Sequence, residues 1–332
     1  MRASPKTIAL AFGALASIFS TASLAAMQIV ASIKPVELIV RAVATDDMQS
    51  TSLVPPGSSP HTYSMKPSER RALEDAEVIF WVGPEMETFL NRLLSGQDFK
   101  HRAVALMAAD QGVSGNDGHA DREESHGDHA DHDHGHEAQG HGDGHDHGDG
   151  EDPHIWLDPE LAIGMAETIH RALSTLDGAD IRALDSNLAR FRDSVRQMDR
   201  AIREQLAPAR DISLFAYHDA FTRFAEHYEL QLDGVLTLNP ELSPGARHIA
   251  EVQDKLRKGH HPCLLTEPQF NRQWWRSITR DLNVTFSTWD PLATNVDVSP
   301  DGYNEFQQSI VDAVLKCLPE DTQDQGNGGN GQ

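Results

Sequence analysis

The sequence is short of cysteine and of positive charge, and beyond its opening residues it has no long hydrophobic run. Two cysteines in 332 residues, Cys263 and Cys317, are too few for a disulfide-framed scaffold or a cysteine-built metal cluster. Lys and Arg number 28 against 51 Asp and Glu, for a formal charge of −23, and an acidic surface of this kind argues against nucleic acid and anionic membranes as partners. After Leu24 no apolar stretch approaches the ~20 residues of a membrane-spanning helix, so the processed protein is expected to be soluble. Common catalytic signatures are missing too. There is no His-Glu-x-x-His pair, no Gly-x-Ser-x-Gly elbow and no phosphate-cradling glycine loop.

What is present begins with a leader. Arg2 and Lys6 precede a nearly uncharged run from Ile8 to Leu24 that ends in Ser23-Leu24-Ala25-Ala26, the pattern of a secretory signal peptide over residues 1–26. No cysteine follows the expected cleavage point, so the mature chain is read as free in a periplasm rather than lipid-anchored. In that oxidising compartment Cys263 and Cys317 are expected to form one disulfide, the alternative being two buried free thiols.

From Met27 onward, short β-branched-rich runs alternate with longer amphipathic ones, as βα units around a parallel sheet do. Strands are expected at 28–33, 49–54, 78–82 and 103–107, with helices at 35–44, 67–75 and 86–94. A second series has strands at 212–216, 231–236, 263–266 and 284–288, and helices at 220–228, 244–258, 273–281 and 303–318. Between the series lie helical patterns at 159–176 and 180–206, the latter long, charged and free of Pro and Gly. The fold class is therefore α/β, with two similar lobes carrying parallel sheets and one long rigid helix joining them. The expected divisions are an N-terminal lobe over 27–176, a connecting helix over 177–206, a C-terminal lobe over 207–319 and a disordered tail over 320–332.

Residues 112–152 differ in kind, with almost no apolar side chains and half of the 18 histidines: His119, His126, His129, His132, His134, His136, His141, His145 and His147. No core can form from such a segment, so it reads as a flexible loop inserted in the first lobe. Imidazoles mixed with carboxylates form weak, mobile sites for divalent metals, which makes the loop an auxiliary metal collector or sensor.

A tight site must come from elsewhere. In α/β lobes ligands gather beyond the carboxyl ends of strands, and four residues have that placement. His61 sits in Pro55-Pro56-Gly57-Ser58-Ser59-Pro60-His61, after the second expected strand, and His154 in Asp152-Pro153-His154-Ile155-Trp156, just before a helix. His218 ends Leu214-Phe215-Ala216-Tyr217-His218, and Asp290 follows Phe286-Ser287-Thr288-Trp289. Two imidazoles on one lobe facing an imidazole and a carboxylate on the other would compose a transition-metal site in the inter-lobe cleft.

The segments Pro60-His61-Thr62-Tyr63-Ser64-Met65-Lys66-Pro67, Val82-Gly83-Pro84-Glu85-Met86-Glu87, Asp152-Pro153-His154-Ile155-Trp156-Leu157-Asp158-Pro159, Tyr217-His218-Asp219, Thr266-Glu267-Pro268-Gln269-Phe270 and Asp290-Pro291-Leu292 resemble those of the cluster A-I metal-binding solute receptors of bacterial ABC importers, and most closely the zinc-specific, ZnuA-like branch. The resemblance spans nearly the whole mature chain. It implies two α/β lobes joined by a long helix, Zn²⁺ held as cargo by His61, His154 and His218, and delivery to an inner-membrane ABC permease by a monomeric receptor that is not an enzyme. Some zinc members carry a glutamate before the first histidine. Here that place is Pro60, which leaves water or Asp290 as the fourth ligand. Cys263 and Cys317 match cysteines that pair in some members. Imidazole suits zinc where oxygen ligands suit manganese, and affinity is expected to fall as pH drops below the imidazole range near 6.5. Other readings use the same residues: a zinc hydrolase, with Asp219 or Glu267 as base, or a zinc buffer or adhesin without a transporter.

Overall fold

The computed structural model describes residues 26–107, 152–237, 244–270, 275–276 and 278–319. The expected leader apart from Ala26, the histidine-rich loop apart from Asp152, and the tail lie outside these residues.

Two parallel sheets organise the chain. The first lobe contains β1 (Met27–Ala31), α1 (Lys34–Val43), β2 (Met48–Ser52), α2 (Pro67–Asp75), β3 (Val78–Trp81), the short α3 (Asn91–Leu94) and β4 (Ala103–Ala105). Its strand order is β2-β1-β3-β4, with Met27 beside Met48, Ile29 beside Val78 and Ile79 beside Ala103. The helices α4 (Pro159–Leu173) and α5 (Ile181–Leu206) follow. The second lobe has β5 (Leu214–His218), α6 (Thr222–His227), β6 (Leu232–Thr237), α7 (Ala246–Lys258), β7 (Cys263–Thr266), β8 (Thr285–Thr288) and α8 (Gly302–Leu315). Its order, β6-β5-β7-β8, repeats that of the first.

The central strands carry apolar runs because helices cover both faces of a parallel sheet. All four residues of β3, Val-Ile-Phe-Trp, are buried, and so are all of β5 and β7. Helix α4 starts where its sequence dictates. Asp158 caps it, accepting from Glu160 N at 2.7 Å and Leu161 N at 3.1 Å, and Pro159 takes a first-turn position whose amide would be unsatisfied anyway.

Helix α5, 26 residues and about 39 Å long, buries the stripe Leu184, Leu188, Phe191, Val195, Ile202 and Leu206. It packs on α1 and α4 of the first lobe and on α8 of the second. One continuous apolar core therefore runs from Ile29 to Cys317 through both lobes. Gly302, at the start of α8, lets α8 pack tightly on α1: a Cβ there would lie 2.9 Å from Leu38 Cδ2 on α1 and 2.7 Å from Asp297 O.

The helix expected over 86–94 is the main local departure. Only a short 3-10 turn, Thr88–Leu90, and α3 form. The fully buried Glu87 carboxylate turns back to accept from Val82 N at 3.1 Å and Gly83 N at 3.0 Å, which holds the chain after β3 in a loop. The helix expected over 273–281 falls largely outside the described residues. Cys263 and Cys317 form a disulfide with Cα atoms 5.7 Å apart, fastening the chain just past α8 to β7. No described helix is long and apolar enough to cross a membrane.

Candidate metal centre

His61, His154 and His218 come together in the cleft between the lobes. Their ring centroids are 5.5 Å (His61 to His154), 5.9 Å (His61 to His218) and 5.4 Å (His154 to His218) apart. One ring nitrogen from each lies within 4.8 Å of the others. A tetrahedral zinc ion with nitrogens at 2.0–2.1 Å sets them about 3.4 Å from one another, so the rings need to close by little more than an ångström to share one ion.

Each ring is placed by a different local device. His61 stands on the loop between β2 and α2, whose near end continues the sheet pairing: Leu53 N donates to Ala31 O at 2.8 Å and Val54 N to Ser32 O at 2.9 Å. Its far end is clamped to α2 by Tyr63 Oη, which donates to Glu69 at 2.5 Å, and by Lys66 N, which donates to the same carboxylate at 2.6 Å. His154 is held by the residue two places before it. Asp152 Oδ1 accepts from His154 N at 3.0 Å, closing an Asx turn, and lies 2.7 Å from His154 Nδ1.

His218 is the last residue of β5, and Glu267 is the first beyond β7. The chain leaves β5 toward β6 on one side and returns to β7 on the other, so the two residues flank a topological switch point, where α/β sheets open a crevice. Glu267 Oε1 sits 2.7 Å from His218 Nδ1. A carboxylate oxygen accepts here, so Nδ1 carries the hydrogen, and in the neutral ring that a metal requires Nε2 keeps its lone pair. That Nε2 is buried without a hydrogen-bond partner, as a metal-ligating nitrogen would be before the ion arrives. Phe270 backs the ring edge-on, with centroids 5.4 Å apart.

The electrostatics favour a neutral, metal-ready ring at His61. Burial, then the neighbouring His154 and His218, push the His61 pKa down to about 3, against a smaller opposing pull from Asp152. Its own protonation thus falls far below the range near 6.5 expected from sequence. Burial raises the Asp152 pKa, but hydrogen bonding and attraction to His154, helped by Arg223, hold it below its ordinary value. The cleft walls include Pro60, Met86, Trp156, Phe270 and Leu292. An apolar lining of this sort strengthens the attraction between an ion and its ligands.

Asp290, one of the two candidates for the fourth position beside water, is not part of the three-imidazole cluster. Its Oδ1 accepts from Gln269 Nε2 at 2.6 Å and Leu292 N at 3.0 Å, and its Oδ2 from Thr294 N at 2.7 Å. Both oxygens take part in fixing the turn after β8. Among the described residues, the group able to hold a metal is the three imidazoles alone. The loop histidines from His119 to His147 lie outside those residues. Of the other described histidines, His170 pairs with Asp185 at 2.8 Å, His227 with Asp199 at 2.7 Å, and His248 meets Val235 O at 2.9 Å.

Sequence reasoning missed the orienting carboxylates. Asp152 was readable, because an Asp two residues before a histidine is an Asx-turn signal. Glu267 was not, since its tie to His218 depends on which strands are neighbours.

The chain is similar to known zinc-uptake proteins over almost its whole length. It is 33% identical over 300 residues to the high-affinity zinc uptake system protein ZnuA of Yersinia pestis, covering 89% of this chain and 92% of that protein. The protein of the same description from Brucella abortus (strain 2308) is 30% identical over 312 residues, with 88% and 92% covered. A crystal structure of ZnuA superposes with a TM-score of 0.66 at 22% identity, covering 87% of this chain and 99% of that one, a likeness of fold. The model of the ZnuA family, described as zinc-uptake complex component A, periplasmic, matches residues 29–317, and the chain belongs to that family.

Proposed function

We propose that this protein captures Zn²⁺ in the periplasm with His61, His154 and His218 and delivers it to an inner-membrane ABC permease. The observation that carries the reading is the convergence of three imidazoles from both lobes within 4.8 Å, two of them backed by a carboxylate at 2.7 Å. Carboxylate-backed imidazoles are strong, oriented ligands for zinc, and an all-nitrogen set favours zinc over manganese. The relatives from Yersinia pestis and Brucella abortus are named for high-affinity zinc uptake, which supports zinc as the cargo. The chain belongs to the zinc-uptake family and Glu267, one of the candidate bases for a hydrolase, bonds to His218, so the reading is a receptor and not an enzyme.

The finer parts of the reading rest on sequence. Residues 1–26 are removed on export, the mature protein is a free monomer without a lipid anchor, and the loop over 112–152 serves as an auxiliary metal collector or sensor. The lobes over 27–176 and 207–319 flank the helix of 177–206 and act as one body.

Alanine changes at His61, His154 or His218 test the ligand set. Each is expected to weaken zinc binding at least a hundredfold in a competition titration while circular dichroism stays unchanged, and wild type is expected to prefer Zn²⁺ to Mn²⁺. Wild-type affinity in the single variants would remove the cleft as the tight site. Growth of a deletion strain in zinc-poor medium tests delivery: normal growth would favour a buffer or adhesin.

A further inference from the structure

Gln269 lines the same cavity as the three histidines, two residues past Glu267. Its neighbour Asp290 is a pure acceptor already bonded by two backbone amides, so the group facing it at 2.6 Å must be the Gln269 amide nitrogen. The orientation of the side-chain amide is thereby fixed. Its Oε1 is buried and has no hydrogen-bond partner, as is His218 Nε2 in the same cavity. A protein seldom buries a carbonyl oxygen without a donor to meet it.

We propose that Gln269 is the residue that sets the fourth coordination position: its Oε1 accepts a hydrogen bond from a water that completes the shell of a zinc ion held by His61, His154 and His218. The inference rests on the three-histidine reading. An aquated ion satisfies both orphan atoms together, the metal taking the His218 Nε2 lone pair and the metal-polarised water donating to Gln269 Oε1. Asp290 sits behind the amide and enriches its oxygen by polarisation. The fourth ligand is then a neutral, exchangeable molecule, whereas a carboxylate there would add a charge and hold the cargo harder.

The test compares wild type with Gln269→Leu, Gln269→Glu and His218→Ala, all as the full mature protein. Zinc affinity is read by competition with a chromophoric chelator. The Co²⁺-loaded proteins are also titrated with base, following the visible spectrum. Gln269→Leu is expected to bind zinc about tenfold more weakly, having lost one hydrogen bond to a charged group. The pH midpoint of the Co²⁺ spectrum should fall by about one unit, because metal-bound water is a better donor than hydroxide and suffers more from losing the acceptor. Gln269→Glu restores an acceptor and should return the midpoint to wild type or above. Three results would overturn the proposal: Gln269→Leu matching wild type in both readouts, loss of affinity without a midpoint shift, or Gln269→Glu behaving as Gln269→Leu. If instead His218→Ala binds zinc as wild type does, the histidine reading itself has failed.

Discussion

Glu267 and His218, 49 residues apart in sequence, meet at 2.7 Å with their side chains only 1% and 5% exposed. The contact settles which nitrogen of the ring faces the cleft, and it does so through the adjacency of β5 and β7. Asp152 performs the same service for His154 at the same distance, but through a local turn.

Removing Glu267 should therefore damage zinc binding without touching a ligand. Outer carboxylates of this kind contribute about 10–100-fold to metal affinity. Glu267→Ala frees the ring to take the other tautomer and is expected to lose that much, while Glu267→Gln, which still offers an amide oxygen to Nδ1–H, should lose less. Competition titrations rank the three proteins. If Glu267→Ala bound zinc as tightly as wild type, the ring would have to be held by packing against Phe270 alone.

The depressed basicity of His61 gives the metal-free protein a defined acid sensitivity. Its pKa lies near 3 in the folded state against 6.5 ordinarily, so between those values the unfolded chain binds more protons than the folded one. The stability this ring permits is complete above pH 6.5 and declines as pH falls toward 3. Glu87 acts in the opposite sense. Burial pushes its pKa up to about 7, so its contribution is full below the ordinary carboxylate range and is lost as pH rises through 7. Replacing His61 by Gln isolates the first effect: the metal-free variant should gain stability relative to wild type as pH drops from 7 to 4.5, read as denaturant midpoints. A gap that does not change with pH would mean His61 takes up protons freely in the cleft.

How far the sequence carries depends on the range of the determinant. Helix α2 occupies Pro67–Asp75, the interval expected from its first-turn proline and apolar spacing, because those determinants are local. The strand-end positions of His61 and His218 are legible in the same way. The loop around Glu87 is not, since the helical pattern of 86–94 says nothing of two amides, Val82 N and Gly83 N, competing for that carboxylate. Asp290 has the chemistry and strand-end position of a ligand, and only the fold shows its oxygens bonded to Gln269, Leu292 and Thr294. Pairings between residues distant in sequence follow from strand order, which periodicity does not encode.

The lobes are expected to stay in place when zinc binds. They share one apolar core, and polar ties cross between them: Trp156 Nε1 donates to Pro291 O at 2.8 Å, Tyr303 Oη to Trp156 O at 3.0 Å and Lys34 Nζ to Thr294 O at 3.1 Å. A hinge motion would have to break these and open the α1 to α8 contact at Gly302. Small-angle scattering should thus give the same radius of gyration with and without zinc, and a marked contraction would contradict the rigid frame. Gly302→Ala, whose added carbon would press on Leu38 and Asp297, is expected to destabilise the protein by about 1–3 kcal/mol, as overpacking does.

The disulfide should matter for stability and hardly at all for zinc. It closes a loop spanning 54 residues, for which loss of chain entropy in the unfolded state predicts a stabilisation of about 4 kcal/mol. Reduction, or Cys317→Ser, should lower the thermal and denaturant midpoints accordingly. The metal centre is remote from the bridge along the strand. Cys263 begins β7 and Glu267 follows its end, a separation of about 13 Å at strand rise, while the hydrogen bonds that fix His61 and His154 involve neither cysteine. A folded but reduced protein should therefore bind zinc within a fewfold of the oxidised one. Loss of zinc affinity in step with reduction, at temperatures where circular dichroism still reports a folded chain, would show that α8 and β7 position the cleft more directly than these contacts imply.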